Sequence, residues 1–291
     1  MNTTREVKQV INGLKTADGD GVQLTRLIGS AYLDQLDPFL LFDAFGSDKP
    51  QDYIGGFPPH PHRGFETVTY MHAGKMRHKD SAGNEGVIEA GGVQWMTAGK
   101  GIIHSEMPEQ EEGLLAGFQL WVNLPATHKM TEPKYQEYTS TEILQEIRSN
   151  DNSDSSDNDH ESSKVTVIAG TTCLGTKGVI DNDLVSPIYW DVKLPAKASF
   201  EDLIAKGLNA FIYVVEGEVI IGDKLTSVNK GQLAVLKDGC NISIKANTLS
   251  QFLVVAGKPI NEPVERGGPF VMNTKAEIQQ AFKDYQNGEF A

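Results

Sequence analysis

The chain has 291 residues, enough for one large domain or two of about 140. A net charge of −13 and a pI near 5.0 argue against a nucleic-acid groove, which needs a basic stripe, but not against a protein partner that itself binds DNA. No apolar run approaches the roughly 20 residues of a membrane span, the start Met1–Gln9 is polar, and a cytoplasmic protein is expected, with Cys173 and Cys240 as buried, inert thiols.

Short runs rich in β-branched and aromatic residues, separated by Gly, Asp and Pro, predict a mainly β chain. The first informative stretch is Gly56 to Glu66. Prolines at 58, 59 and 61 preset an extended backbone around His60 and His62. Residues at i and i+2 of a strand face one side of a sheet, so this strand presents two imidazoles together. Val68–Thr69–Tyr70 then runs to Gly74, and a glycine turn at Gly91–Gly92 precedes Val93 to Met96. Gln94 and Trp95 are expected near the pocket, with Trp95 more at home in a core. A second ligand-spaced pair, His104 and Glu106, follows Gly99–Lys–Gly101. Phe57 and Met107 flank the two pairs and are expected to supply apolar walls.

Ser149 to Ser163 holds five carboxylates and no apolar residue, which predicts a mobile loop or linker. Asp151, Asp154, Asp157 and Asp159 supply calcium-type oxygens, but the Gly and the bidentate Glu of an EF-hand loop are missing. Beyond it, Phe211 to Gly217 and Lys230 to Leu236 repeat the earlier strand, hairpin and glycine-turn pattern, which predicts a duplicated β-domain. No histidine follows His160, so the second half has no His-rich site, and Glu201, Glu216 and Glu218 alone would be a weak iron site. At the end, Thr274 to Glu277 is a capping-box pattern. Ile278, Ala281, Phe282 and Tyr285 follow at helical spacing up to Gly288. That helix is expected on the second barrel.

Three imidazoles and a carboxylate around one point suit a first-row transition metal and leave coordination positions open. His72, His78, His128 and His160 lack ligand-spaced partners and are expected to be ordinary histidines. The pairs around His62 and His104 resemble the two motifs of the cupin superfamily, where a later Glu joins the HxH pair and Gly-x-x-His supplies the third imidazole. Counted back from Gly74, the Glu position falls on Thr67. The expected ligands are therefore His60, His62, His104 and Glu106, with Glu66 as the second choice of carboxylate.

The wider wording, HPHRGFETVTY, VQWMTAGKGIIHSE, GFQLWVNLP and PFVMNT, together with Arg26 and Phe39 to Asp43, resembles the pirin family over nearly the whole chain. Glu89 to Gly92 departs from the family's usual Pro-Gly-Asp turn. The resemblance implies an all-β chain of two cupin (double-stranded β-helix) barrels with a short C-terminal helix. On this reading residues 1–135 form the metal-bearing barrel, 136–164 connect, and 165–291 form a metal-free barrel plus the helix. It implies Fe(II) on the four residues, which also suit manganese, cobalt, nickel, copper or zinc. It further implies quercetin 2,3-dioxygenase-type ring cleavage of a flavonol or other small aromatic enol with dioxygen, Glu106 serving as ligand and base. The alternative is a redox-sensitive regulator that binds a transcription factor or metabolic enzyme. Neither reading involves direct contact with nucleic acid or membrane.

Overall fold

A computed structural model describes residues 3–149 and 162–290. Asp151, Asp154, Asp157, Asp159 and His160 lie outside the described residues. The chain divides into two compact units: Leu14–Thr141 with the segment from Ile260 onward, and the residues up to Gly13 with Glu142–Pro259.

Each unit is a barrel made of a seven-stranded and a four-stranded antiparallel sheet. In the first unit the larger sheet runs Lys134–Tyr138, Val93–Thr97, Phe65–Ala73, Leu115–Asn123, Phe39–Ser47, Val22–Ile28, Leu14–Asp18. The smaller runs Phe57–His62, Ile102–Pro108, Lys75–Asp80, Glu85–Glu89. The second unit repeats both orders, strand for strand. Its larger sheet is Val7–Ile11, Leu233–Leu236, Asn209–Glu216, Ser250–Gly257, Ile188–Leu194, Ser163–Ala169, Gln145–Arg148. Its smaller sheet is Ser199–Leu203, Asn241–Ala246, Glu218–Ile221, Thr226–Asn229. The duplication expected from the glycine turns is therefore real. Gly74 and Gly217 end equivalent strands, Gly91 and Gly231 open the next equivalent pair, and all four have φ of +79°, a left-handed backbone that favours glycine. Among the described residues the fold is all-β, two cupin barrels with one α-helix.

The proline-rich strand Phe57–His62 lies at an edge of its sheet. Pro58, Pro59 and Pro61 have no N–H to give to a ladder, and an edge strand needs to pair on one side only.

The helix Lys275–Asn287 begins at Thr274, whose side chain accepts from the Glu277 amide, and ends at left-handed Gly288. It was expected on the second barrel and instead belongs to the first unit. Phe282 and Tyr285 contact Phe270, Ala281 and Ile278 pack with Phe270, Phe290 and Ile103, and Asp284 pairs with Arg63 at 2.5 Å. Helical periodicity identifies an apolar face but not the surface that receives it. Neither Cys173 nor Cys240 is in a disulfide among the described residues, and Cys173 is exposed rather than buried.

Candidate metal centre

Strand register brings the two motifs together. In the ladder between Phe57–His62 and Ile102–Pro108, His62 stands opposite Ile102, His60 opposite His104 and Phe57 opposite Glu106. The register shifts between the last two pairs, so three residues on the proline side oppose two on the other. A bulge of this kind bends its strand and re-aims side chains. The three ring centroids are 4.5 to 5.0 Å apart, and ligand-capable nitrogens of His60, His62 and His104 all lie within 4.8 Å of one another.

The chemistry of these nitrogens fits a metal ion. His60 Nδ1 is 2.8 Å from the Pro58 carbonyl, which accepts only from an Nδ1–H, so Nε2 keeps the lone pair. That Nε2 lies 2.9 Å from His62 Nε2. His104 is 1% exposed and neither ring nitrogen has a hydrogen-bond partner. A buried polar atom left unpaired costs about 1–3 kcal/mol, and a cation among the three rings would remove that penalty for the one nitrogen it binds. His62 Nδ1 has no well-aligned hydrogen-bond partner, although the Pro269 backbone lies close enough to raise the ring's pKa. Burial first, and the neighbouring imidazoles second, hold His62 and His104 well below the usual histidine value. Both are then neutral, as metal-binding imidazoles must be.

Glu106 is buried on the strand of His104 and shares a cavity with His60 and His62, but it is not part of the three-imidazole cluster itself. Burial pushes its carboxyl above the usual range, and the Thr69 hydrogen bond and the His60 and His78 rings pull it part of the way back. Thr69 Oγ1 is 2.7 Å from both Glu106 Oε1 and Gln119 Oε1. A hydroxyl has one hydrogen to donate. With Glu106 ionised, Thr69 donates to it. With Glu106 protonated, Glu106 donates to Thr69, which donates to Gln119. Glu66 stands apart, accepting from the Thr97 hydroxyl at 2.7 Å, and does not join the imidazoles.

A cavity of about 710 Å³ opens on this group, within the size range of small-molecule sites. Leu24, Leu41, Phe45, Phe57, Met76 and Trp121 give it apolar walls. The Trp121 ring also meets His62 edge-on at 5.2 Å. Phe57 lines the cavity as expected, whereas Gln94, Trp95 and Met107 do not. Trp95 is a core residue, Met107 follows Glu106 on the opposite face of its strand, and Gln94 is occupied by Glu137.

A polar row crosses the inner face of the larger sheet at one level. Thr69 pairs with Gln119, Gln119 with Asp43, and Asp43 with Arg26, and all four line the cavity. Arg26 Nη2 is 2.7 Å from both Asp43 and Asp18. Sequence reasoning missed this row, and it missed His78. That residue is buried, stands opposite Glu106 in the ladder, and lies 2.8 Å from Glu137 Oε2, too poorly aligned for a hydrogen bond but close enough for an electrostatic contact. Alternation along Met76, His78 and Asp80, all buried, was the available signal.

These features define a two-barrel cupin with a metal-type centre in one barrel. The chain belongs to the pirin family: the Pirin family model matches residues 21–122 and the Pirin C-terminal cupin domain matches residues 189–291. A pirin-like protein of Caulobacter vibrioides is 47% identical over 286 residues, covering 98% of this chain and 99% of that one. Human pirin is 40% identical over 294 residues, covering 99% and 95%. Among solved structures, a quercetin 2,3-dioxygenase from Acinetobacter baumannii is 34% identical, with a TM-score of 0.87 over 99% of both chains.

Proposed function

We propose that this chain is a metal-dependent dioxygenase of the quercetin 2,3-dioxygenase type, acting on a flavonol or similar aromatic enol. His60, His62, His104 and Glu106 would hold the metal, for which Fe(II) suits the donor set and leaves room for substrate and dioxygen. The observation that carries this reading is a cluster of three imidazoles, with His62 and His104 buried and neutral, opening on an apolar-walled cavity. The solved relative named as a quercetin 2,3-dioxygenase supports it.

When bound, the metal supplies Lewis acidity that favours the substrate's enolate, and a redox partner for dioxygen. The protein's own residues bind, orient and handle the proton. Phe57, Met76 and Trp121 offer apolar surface to a planar ring system and exclude water from the reacting end. Glu106 accepts the enol proton at a carboxylate oxygen. Its raised pKa brings it nearer the working pH of a general base. As the proton arrives, the Thr69 hydroxyl turns its hydrogen from Glu106 to Gln119 Oε1, so both protonation states remain hydrogen-bonded.

Aerobic incubation of iron-loaded protein with quercetin tests the function. The expected result is ring cleavage with release of carbon monoxide, lost in His62→Ala. Turnover no higher than that of His62→Ala would sink the proposal and return the regulatory reading to the front.

A further inference from the structure

The cavity wall holds two arginines, and their surroundings differ. Arg26 is neutralised by Asp43 and Asp18. Arg266 has no carboxylate within ion-pair distance among the described residues. Its Nη2 donates to two neutral acceptors, the Leu40 carbonyl at 2.8 Å and the Asp34 carbonyl at 3.4 Å. Those two bonds aim the guanidinium and leave Nε and Nη1 for another acceptor. Burial pushes the group down from its usual value, Asp34 at longer range raises it and Arg26 lowers it. Arg266 is thus a fixed, partly desolvated cation with no direct ion pair on a cavity surface, where a charge-assisted bond to an anion is strongest.

Its position relative to the imidazoles is bounded by the chain. Arg266 ends the approach to the turn at Gly268 and Pro269, both of which line the cavity, and the Pro269 carbonyl acts on His62. Two residues, Gly267 and Gly268, separate Arg266 from Pro269, so their Cα atoms lie at most about 11 Å apart. A two-ring aromatic molecule with its enol at the imidazoles can place a substituent at the guanidinium.

We propose that Arg266 is an anion subsite of the cavity and takes a carboxylate on the substrate's far ring. The substrate class is an aromatic enol acid, which rests on the function proposed above. Arg26 engages both Asp43 and Asp18 and offsets one of their two charges, and Asp20 also lines the cavity, so Arg266 is the cation left to receive a carboxylate there.

Equilibrium binding under anaerobic conditions, with the iron-loaded full chain, tests it without turnover. The probes are 3-hydroxyflavone, its 4′-carboxylate, its 4′-carboxamide, and the 4′-carboxylate of flavone lacking the 3-hydroxyl. The carboxylate should bind about 10-fold tighter than the carboxamide to the native protein. That preference should vanish in Arg266→Gln and persist in part in Arg266→Lys. Equal affinities in the native protein overturn the subsite, and this comparison needs no variant. A preference that survives Arg266→Gln also overturns it. If the flavone carboxylate binds through Arg266 while 3-hydroxyflavone does not bind, the subsite stands and the enol function falls.

Discussion

The two barrels share a strand order and differ in what fills them. In the first, His60 stands opposite His104. At the same place in the second, Asp202 stands opposite Ile242, and Asp202 is taken up by Arg148. Thr69, Gln119, Asp43 and Arg26 form the polar row of the first. The matching positions of the second, Ile212, Val254, Trp190 and Val167, pair in the same register and are fully buried. Ile244 occupies the place of Glu106. One backbone therefore supports an open cavity or a filled core. The choice is made by one row of side chains across four strands, because the inner face of a small barrel must be either filled or functional.

The largest expected effect falls on the metal. His104→Ala should weaken metal binding by about 100-fold or more, beyond the loss typical of an outer-shell partner, as read by metal content and titration calorimetry. Retained stoichiometry would remove the chemical distinction between the barrels. Next comes packing. Trp190→Ala should destabilise the protein by about 3–5 kcal/mol through the cavity it leaves, while metal content stays unchanged. Denaturant unfolding beside metal analysis checks both halves, and a joint loss of metal would show the barrels to be coupled.

A smaller effect is expected at the Glu106 hydrogen bond. Thr69→Val keeps the shape and removes the hydroxyl, leaving a buried carboxyl short of one partner at about 1–3 kcal/mol. The rate of turnover should fall about 10-fold or more with little change in KM, and an unchanged rate would remove Thr69 from the mechanism.

The smallest effect is a pH slope carried by the first barrel alone. His62 and His104 are held below their usual 6.5 in the fold, so the unfolded chain binds more protons. Their contribution is intact above about pH 6.5 and is lost as pH falls through that value. Glu106, held above its usual range, acts in the opposite sense, and two imidazoles against one carboxyl leave a net fall. Melting of the metal-free protein should move down between about pH 7.5 and about pH 5.5. His62→Leu combined with His104→Leu should flatten the slope, and an equal slope in that variant would place its origin elsewhere.

Much of the architecture is legible in the residues. The i, i+2 spacing of His60 and His62 states that they share a face, prolines 58, 59 and 61 state an extended backbone, and the glycine turns state a duplication. Thr274 and Gly288 bracket the helix they were read to bracket. Each of these rests on backbone chemistry within a few residues. The barrel pair follows from them because an alternating strand must find neighbours for its buried face.

Other features lie beyond local pattern. Nothing in the spacing says that Thr69, Gln119, Asp43 and Arg26 meet at one level, since they lie on four strands far apart in sequence. Register between strands decides it. Likewise an amphipathic helix does not name its partner, and only long-range packing carries the last segment to the first barrel, bringing Arg266 to the cavity wall. By itself the sequence determined which side chains face together along each strand, through alternation. The tertiary structure decided which strands stand side by side, and so which barrel has room for a substrate.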